Sequence, residues 1–267
     1  MISTLRVIVA SFRLQSKDRI TSNFFQFTLL VQPVLFTILT VGLYRFAGKI
    51  DLGLYAVIGS GMIGIWNANL WTSGFIVQDE RELGTLEHIL ASPTSLEVVL
   101  IGKSLSNAVV SLLAMFLTFA TGALVYQIPL GIQDPWAFAV GLVLTVLAMT
   151  CLGLLMGTVF VLTRTADSVT GVLNYPIFIL SGFTFPITIL PLWTRPLSAV
   201  LAPTWGIHIL ETAALPSLQR IAGLLPEAYW VNYLVLVGLA AVYYLTGHWL
   251  YRLVEQAARK LGRLHTY

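Results

Sequence analysis

The chain has 267 residues, of which 57% are hydrophobic and 10% are charged, and its mean hydropathy is +0.84. A soluble domain of this length needs a more highly charged surface, so the composition argues against a cytosolic globular fold and indicates a membrane protein. The net charge of +3 is modest, and its placement fits membrane orientation better than nucleic-acid binding. The single cysteine, Cys151, excludes an intramolecular disulfide.

The N-terminal residues alternate between apolar and basic side chains. Ile2, Leu5, Val9 and Phe12 recur at helical spacing, with arginines and a lysine between them. This pattern predicts an amphipathic helix over residues 1–22 that lies in the membrane interface. The alternative is a plain basic segment in front of the first membrane span.

Six apolar runs follow, each near the ~20 residues needed to cross a hydrocarbon core of about 30 Å. They predict an all-α polytopic protein, with residues 1–267 forming a single transmembrane domain. The six predicted transmembrane helices are 24–44, 54–77, 105–126, 137–162, 169–189 and 229–250.

The basic residues are distributed unequally between the two sides of the membrane. With the N-terminus in the cytoplasm, eleven of the fifteen Lys and Arg residues lie inside. The positive-inside rule therefore predicts that both termini, and the loop after the second span, are cytoplasmic. The four basic residues on the outside are Arg45, Lys49, Arg195 and Arg220.

The segment between the fifth and sixth spans, residues 183–226, contains six prolines and apolar runs too short to cross a membrane. Proline removes a backbone donor and interrupts helices. The segment is therefore predicted to form short helices that dip into the outer leaflet or cap the bundle.

Nucleotide-binding and catalytic motifs are not found in this sequence. GSGMIG, from Gly59 to Gly64, fits a dinucleotide-binding pattern but lies inside a predicted span, so we interpret its glycines as helix-packing positions. IGKS ends like a phosphate-binding loop, but Glu97 stands where the first glycine is required. We predict that the chain is not an enzyme. The predicted spans also contain no Asp, Glu, Lys or Arg, which argues against proton- or sodium-coupled transport.

A dense group of charges lies in the predicted cytoplasmic segment 78–95. Within it, Gly84 weakens a continuous helix, Thr85 is placed to cap a new one, and Pro93 marks its end. This predicts a short helix over TLEHILA. Leu83, Leu86 and Leu90 are predicted to share a face that packs on the membrane domain or enters a partner's groove. An ordinary solvated loop is the alternative.

The sequence ERELGTLEHILASPTS resembles the loop after the second span in ABC-2 type ABC transporter permeases, where the pattern is close to E-R-E-x-G-T-L-E-x-L-x-x-S/T-P. The resemblance extends over essentially the whole chain, including the six spans, the interfacial helix and the proline-rich segment with GFTFP and LAPTW. His88 and Ile89 stand where the family is variable. The matching residues are Glu80, Arg81, Glu82, Gly84, Thr85, Leu86, Glu87, Leu90, Ser92 and Pro93.

This resemblance implies the permease subunit of an ABC exporter in the bacterial inner (plasma) membrane, surrounded by lipid. The implied partners are two cytosolic ABC ATPase subunits and a second permease, identical or homologous; nucleic acid is not among them. ATP and Mg²⁺ would bind to the ATPases, and this chain would bind no cofactor. The residues implied to couple to the ATPase are Glu80, Arg81, Glu82, Gly84, Thr85, Leu86, Glu87, Leu90 and Pro93.

Polar and aromatic residues within the spans are candidates for lining a translocation path, although they serve equally well in packing between helices. Charge-free spans predict an amphipathic or hydrophobic substrate, such as a drug, an antibiotic or a lipid. Export of a polysaccharide or glycolipid, a channel or secondary transporter that does not use ATP, and a membrane scaffold are the alternatives. Because Asn67 and Asn69 are two residues apart, they cannot share a helical face. The candidate path residues are Trp66, Asn67, Asn69, Asn174 and Tyr175.

Overall fold

The computed structural model describes residues 2–49, 52–91, 96–162, 166–215 and 229–261. Within these ranges the chain forms α-helices and short 3-10 turns and no β-strand, so the all-α prediction is confirmed. Apolar surroundings explain this, because a helix satisfies its backbone hydrogen bonds within its own segment. The helices are α1 Ile2–Thr21, α2 Asn23–Phe46, α3 Gly53–Ser73, α4 Ile76–Glu82, α5 Leu86–Ala91, α6 Leu96–Tyr126, α7 Pro135–Leu162, α8 Ala166–Leu180, α9 Arg195–Val200, α10 Ala202–Ala214 and α11 Tyr229–Leu261.

Among the described residues, four helices are long and apolar enough to cross a membrane. The other two predicted spans correspond to α3 and α8. Asparagines and glycines lower the hydropathy of α3, and α8 has fifteen residues, which cover only about 22 Å, with Pro176 inside it. The count of six spans therefore stays a prediction. The four helical segments are Phe25–Phe46, Leu96–Tyr126, Pro135–Phe160 and Trp230–Leu253.

The N-terminal segment is a helix, as predicted, and α1 packs along α6. Ser16 and Ser106 share a hydrogen bond of 2.8 Å between their hydroxyl oxygens. Gly102 allows the two helices to approach closely, because a Cβ at this position would lie 2.6 Å from the carbonyl oxygen of Ile8. Leu5 and Val9 are exposed, so an apolar stripe of α1 is not covered by the described part of the chain.

The core of the bundle is built around α3. It packs against α2, α6 and α7, while α10 packs against α7, α11 and α3. Large apolar side chains fill the space between these helices, among them Met62 of α3, Met149 of α7 and Leu210 of α10. Dense packing of this kind holds membrane helices together, since lipid is as apolar as the protein interior.

The proline-rich segment forms the short helices that its prolines predict. Two 3-10 turns, Ile187–Ile189 and Leu192–Thr194, precede α9 and α10, and each of these two helices has a proline in its first turn. All thirteen residues of α10 are buried, so this helix is enclosed by the bundle rather than resting on it. Residues 216–226 of the predicted segment lie outside the described residues.

Gly59 and Gly61 of GSGMIG lie at close contacts, which confirms their interpretation as packing positions. A Cβ on Gly59 would lie 1.9 Å from the carbonyl oxygen of Phe183, and a Cβ on Gly61 would lie 2.1 Å from the sulfur of Met115. The contact at Gly59 is with the backbone of Phe183, which, unlike a side chain, cannot change rotamer to make room for a Cβ. The turn after α8 therefore rests directly on α3.

We predict that Gly59→Ala destabilises the protein by about 1–3 kcal/mol, because the added methyl group must displace the backbone at Phe183. The measurement is the melting temperature of the purified protein in detergent. Gly238→Ala is the control, since a Cβ there meets no atom within 4 Å. Equal melting temperatures for Gly59→Ala and the parent would contradict the close contact.

Candidate functional site

The charged segment folds as two short helices joined by a tight turn. After α4 ends at Glu82, Gly84 adopts a φ of +69°, a conformation that glycine allows at no steric cost. The backbone N–H of Thr85 then donates to the carbonyl oxygen of Glu80 at 3.0 Å, and α5 begins at Leu86. The predicted break at Gly84 and the short helix after Thr85 are both confirmed.

Glu80 lies inside the protein rather than on the surface of this segment. Glu80 is 4% exposed, and its carboxylate forms an ion pair with the buried ammonium group of Lys103 on α6. The hydroxyl of Thr85 donates to the other carboxylate oxygen of Glu80. The three side chains, which we call the α4–α6 clasp, therefore fasten the charged segment to the helix bundle.

The leucines of the segment face in different directions. Leu86 is buried in a small cluster with Val77 of α4 and Leu100 of α6. Leu83 is 72% exposed, so the prediction that Leu83 and Leu86 share one face is wrong. The reason is the turn at Gly84, which separates the two residues and reorients the chain between them.

The remaining residues predicted to couple to an ATPase are placed only in part. Glu82 is exposed at the end of α4, next to Leu83. Arg81 belongs to α4, and Glu87 and Leu90 belong to α5, but their side chains lie outside the described part. Pro93 also lies outside the described residues.

A cleft with a volume of about 870 Å³ opens beside α4. One wall is the apolar side of α2, and α3 and α6 form the floor, where Gly64, Asn67 and Ala114 line it. The charged side chains described along the cleft are Arg19, Asp79 and Glu82, all near the junctions of α1 with α2 and of α3 with α4. The volume lies within the range of small-molecule binding sites.

Arg19 and Asp79 face each other at this charged end, with 3.9 Å between the nearest guanidinium nitrogen and carboxylate oxygen. Burial lowers the pKa of Arg19 and raises the pKa of Asp79, while the attraction between the two groups opposes both shifts. The distance is too long for a hydrogen bond, which explains why attraction does not offset the loss of hydration. Arg19 also stacks over the ring of Phe25, 4.9 Å from its centroid.

Three of the five candidate path residues lie together between α3 and α8. The indole N–H of Trp66 donates to the amide oxygen of Asn174 at 2.6 Å, and the amide nitrogen of Asn174 donates to Asn67 at 3.4 Å. Asn67 also lines the cleft. Tyr175 is 71% exposed on α8, with its ring edge against Phe178.

Asn69 points away from Asn67 around α3, as their two-residue spacing predicts. Its amide nitrogen donates to the hydroxyl of Ser111 on α6 at 2.8 Å, and its amide oxygen accepts from Thr150 on α7 at 2.9 Å. Asn69 is 1% exposed. It therefore joins three helices, and it does not line the cleft.

Sequence patterns missed Lys103 and Arg19. The position of Lys103 in the sequence could have indicated its role, because a lysine that begins a long apolar run needs a buried partner or access to water. Arg19 looks like one basic residue among several on α1, and it is distinguished only by its contact with Asp79 and its position on the cleft.

The described structure is that of a multi-helix membrane protein, with an apolar cleft that opens beside a charged pair of short helices. Residues 6–215 match the family model described as ABC-2 type transporter. The chain therefore belongs to the ABC-2 type transporter family, and the resemblance in ERELGTLEHILASPTS is confirmed. Membrane subunits of this family are permeases and are not themselves enzymes.

The chain is also similar to the "Probable multidrug ABC transporter permease YbhR" of Escherichia coli strain K12. The two are 30% identical over 122 residues, which make up 46% of this chain and 33% of that protein. The protein of the same name from Escherichia coli O157:H7 matches to the same extent. The match thus spans about a third of the length of these curated relatives.

We predict that Lys103→Met lowers the free energy of unfolding by about 3–5 kcal/mol, because it leaves the carboxylate of Glu80 buried without its cation. The double variant Glu80→Gln, Lys103→Met should recover most of this loss, since it removes both charges. Melting temperature in detergent and the amount of protein in the membrane are the measurements. Glu82→Gln, at an exposed carboxylate, is the control. A double variant no more stable than Lys103→Met would contradict the clasp.

Proposed function

We propose that this chain is the membrane-spanning subunit of an ATP-driven ABC exporter that moves an amphipathic or hydrophobic substrate across the bacterial inner membrane. The observation that carries the proposal is the position of the cleft. Its charged end includes Asp79 and Glu82 of α4, and the sequence that resembles the family's loop after the second span begins within α4 and continues through the turn at Gly84. Apolar walls on the rest of the cleft favour such a substrate over a polysaccharide.

In this proposal α3 and α8 cross the membrane as the second and fifth of six spans, and both termini lie in the cytoplasm. The eleven-to-four distribution of basic residues supports this orientation. The exposed apolar stripe of α1 supports its position in the membrane interface.

The energy for transport enters through two cytosolic ABC ATPase subunits, which bind ATP and Mg²⁺. The exposed Leu83 supports docking at the turn, because it offers an apolar anchor outside the cleft. The α4–α6 clasp ties this turn to α6. Closure of the ATPases would therefore move α4 and α6 together, and with them one end of the cleft.

A second permease, identical or homologous, completes the transporter. Val172, Tyr175 and Ile179 form an exposed stripe on one face of α8, at helical spacing. This stripe supports an interface with a second permease beside the cleft, since two such subunits would then enclose a path between them.

We predict that Leu83→Asp reduces copurification with the cognate ABC ATPase at least about fivefold, because loss of an anchoring apolar side chain costs at least about 1 kcal/mol. Membrane levels should stay normal, since Leu83 makes no buried contact. Leu83→Met should retain binding. The second control is Arg45→Glu, which reverses an exposed charge at the C-terminal end of α2, away from the turn. Unchanged copurification of Leu83→Asp would contradict docking at this turn.

A secondary transporter is the second candidate, and one observation favours it. Glu211 of α10 is 7% exposed, and its Oε1 atom has no hydrogen-bond partner among the described residues. Buried carboxyl groups in membrane domains often bind a driving ion.

We predict that liposomes containing this chain alone show no gradient-driven uptake of fluorescent amphipathic dyes, whether the dyes are cationic, anionic or neutral. Liposomes that also contain the cognate ATPase should transport at least one dye when Mg-ATP is supplied. Uptake driven by a pH gradient without the ATPase, and lost in Glu211→Gln, would favour the secondary transporter and contradict the proposal.

A further inference from the structure

We propose that the cleft beside α4 binds amphipathic organic cations, with the cationic group held by the carboxylates of Asp79 and Glu82. This inference rests on the proposed function, since it names the chemical class that the same cleft selects. It follows from the position of the charged side chains at one end of the cleft and from the contacts of Arg19, the one basic side chain described there.

The apolar part of the cleft is long enough to hold a hydrophobic body. Gly64 lies nine residues before the end of α3 at Ser73, so the floor extends about 14 Å into the bundle from the charged end. Phe36 and Leu39 of α2 face this part of the cleft. A hydrophobic group of drug size therefore fits between α2 and α3 without meeting a charged side chain among those described.

The charged end carries two carboxylates and one guanidinium among its described side chains, so their formal charges sum to −1. The guanidinium of Arg19 is partly engaged within the protein. It stacks on Phe25, and with the amide of Gln15 turned so that its oxygen faces Arg19, that oxygen accepts bonds of 2.9 and 3.0 Å. These bonds use two of its five N–H donors, and its single positive charge leaves the described charged end with a net charge of −1.

The two carboxylates are the groups with capacity to spare. The side chain of Asp79 is 50% exposed, and its contact with Arg19 is longer than a hydrogen bond. Glu82 is exposed and accepts one hydrogen bond, of 3.1 Å, from the amide of Gln78. An organic cation at this position would have two carboxylates to pair with and an apolar cleft behind it, whereas an anion would meet net repulsion.

The test compares two ions of the same shape and opposite charge. Radiolabelled tetraphenylphosphonium and tetraphenylborate are titrated onto the purified chain in lipid nanodiscs, and binding to empty nanodiscs is subtracted. We expect saturable binding of the phosphonium and none of the borate. Competition with dodecyltrimethylammonium and with dodecylphosphocholine then distinguishes a cation-selective cleft from one that takes zwitterionic lipid headgroups.

The variants assign the selectivity to the carboxylates. Asp79→Asn, Glu82→Gln should weaken phosphonium binding by about five- to thirtyfold, as expected for two partly exposed ion pairs. Asp79→Lys, Glu82→Lys should reverse the preference and bind the borate. Asp134→Asn is the matched control, because it removes a carboxylate that lies outside the cleft and keeps an oxygen to cap α7.

Equal binding of both ions, unchanged binding in the neutral double variant, or displacement by dodecylphosphocholine as strong as by dodecyltrimethylammonium would each overturn the inference. These outcomes are distinguishable from failure of the proposed function, because the binding assay needs neither ATP nor the ATPase. A protein that couples to the ATPase and exports a neutral or anionic dye would contradict only the cation selectivity.

Discussion

The ion pair between Glu80 and Lys103 determines how the charged segment lies against the bundle. Each of these charges costs several kcal/mol to remove from water, and only a close partner of opposite charge offsets that cost. α4 must therefore meet α6 where Lys103 lies, and the next residue along α6 in the N-terminal direction, Gly102, admits α1 at the same level. The turn at Gly84, the exposed Leu83 and the charged end of the cleft all take their positions from this junction.

Polar side chains have two distinct uses in the interior. Asn69 joins α3 to α6 and α7 through side-chain hydrogen bonds, and such a bond restricts how these helices move relative to one another. Asn67, two residues earlier, faces the cleft and contacts Asn174 of the short helix α8. One side of α3 is thus fixed in the bundle, while the other borders open space. Motion that changes the cleft is therefore expected between α3 and its neighbours α2 and α8.

Local patterns in the sequence predicted what depends on local chemistry. The apolar runs predicted the all-α class, and Gly84 and Thr85 predicted the break between two short helices. The spacing of Asn67 and Asn69 predicted that their side chains point in different directions. Contacts between distant segments were not accessible in this way. Glu80 and Lys103 are 23 residues apart, so the segment alone presented Glu80 as a surface charge. The length of an apolar run also did not show that α10 is enclosed or that α8 ends at Leu180.

The enclosure of α10 has a consequence for how the protein is made. With thirteen residues, α10 is too short to enter a bilayer as an independent segment, since it covers only about 20 Å. It packs against α7, which precedes it in the chain, and against α11, which is synthesised after it. The packing around α10 is therefore complete only after α11 has been inserted. We expect biogenesis of the permease to include a late step of this kind, in which the bundle closes around α10.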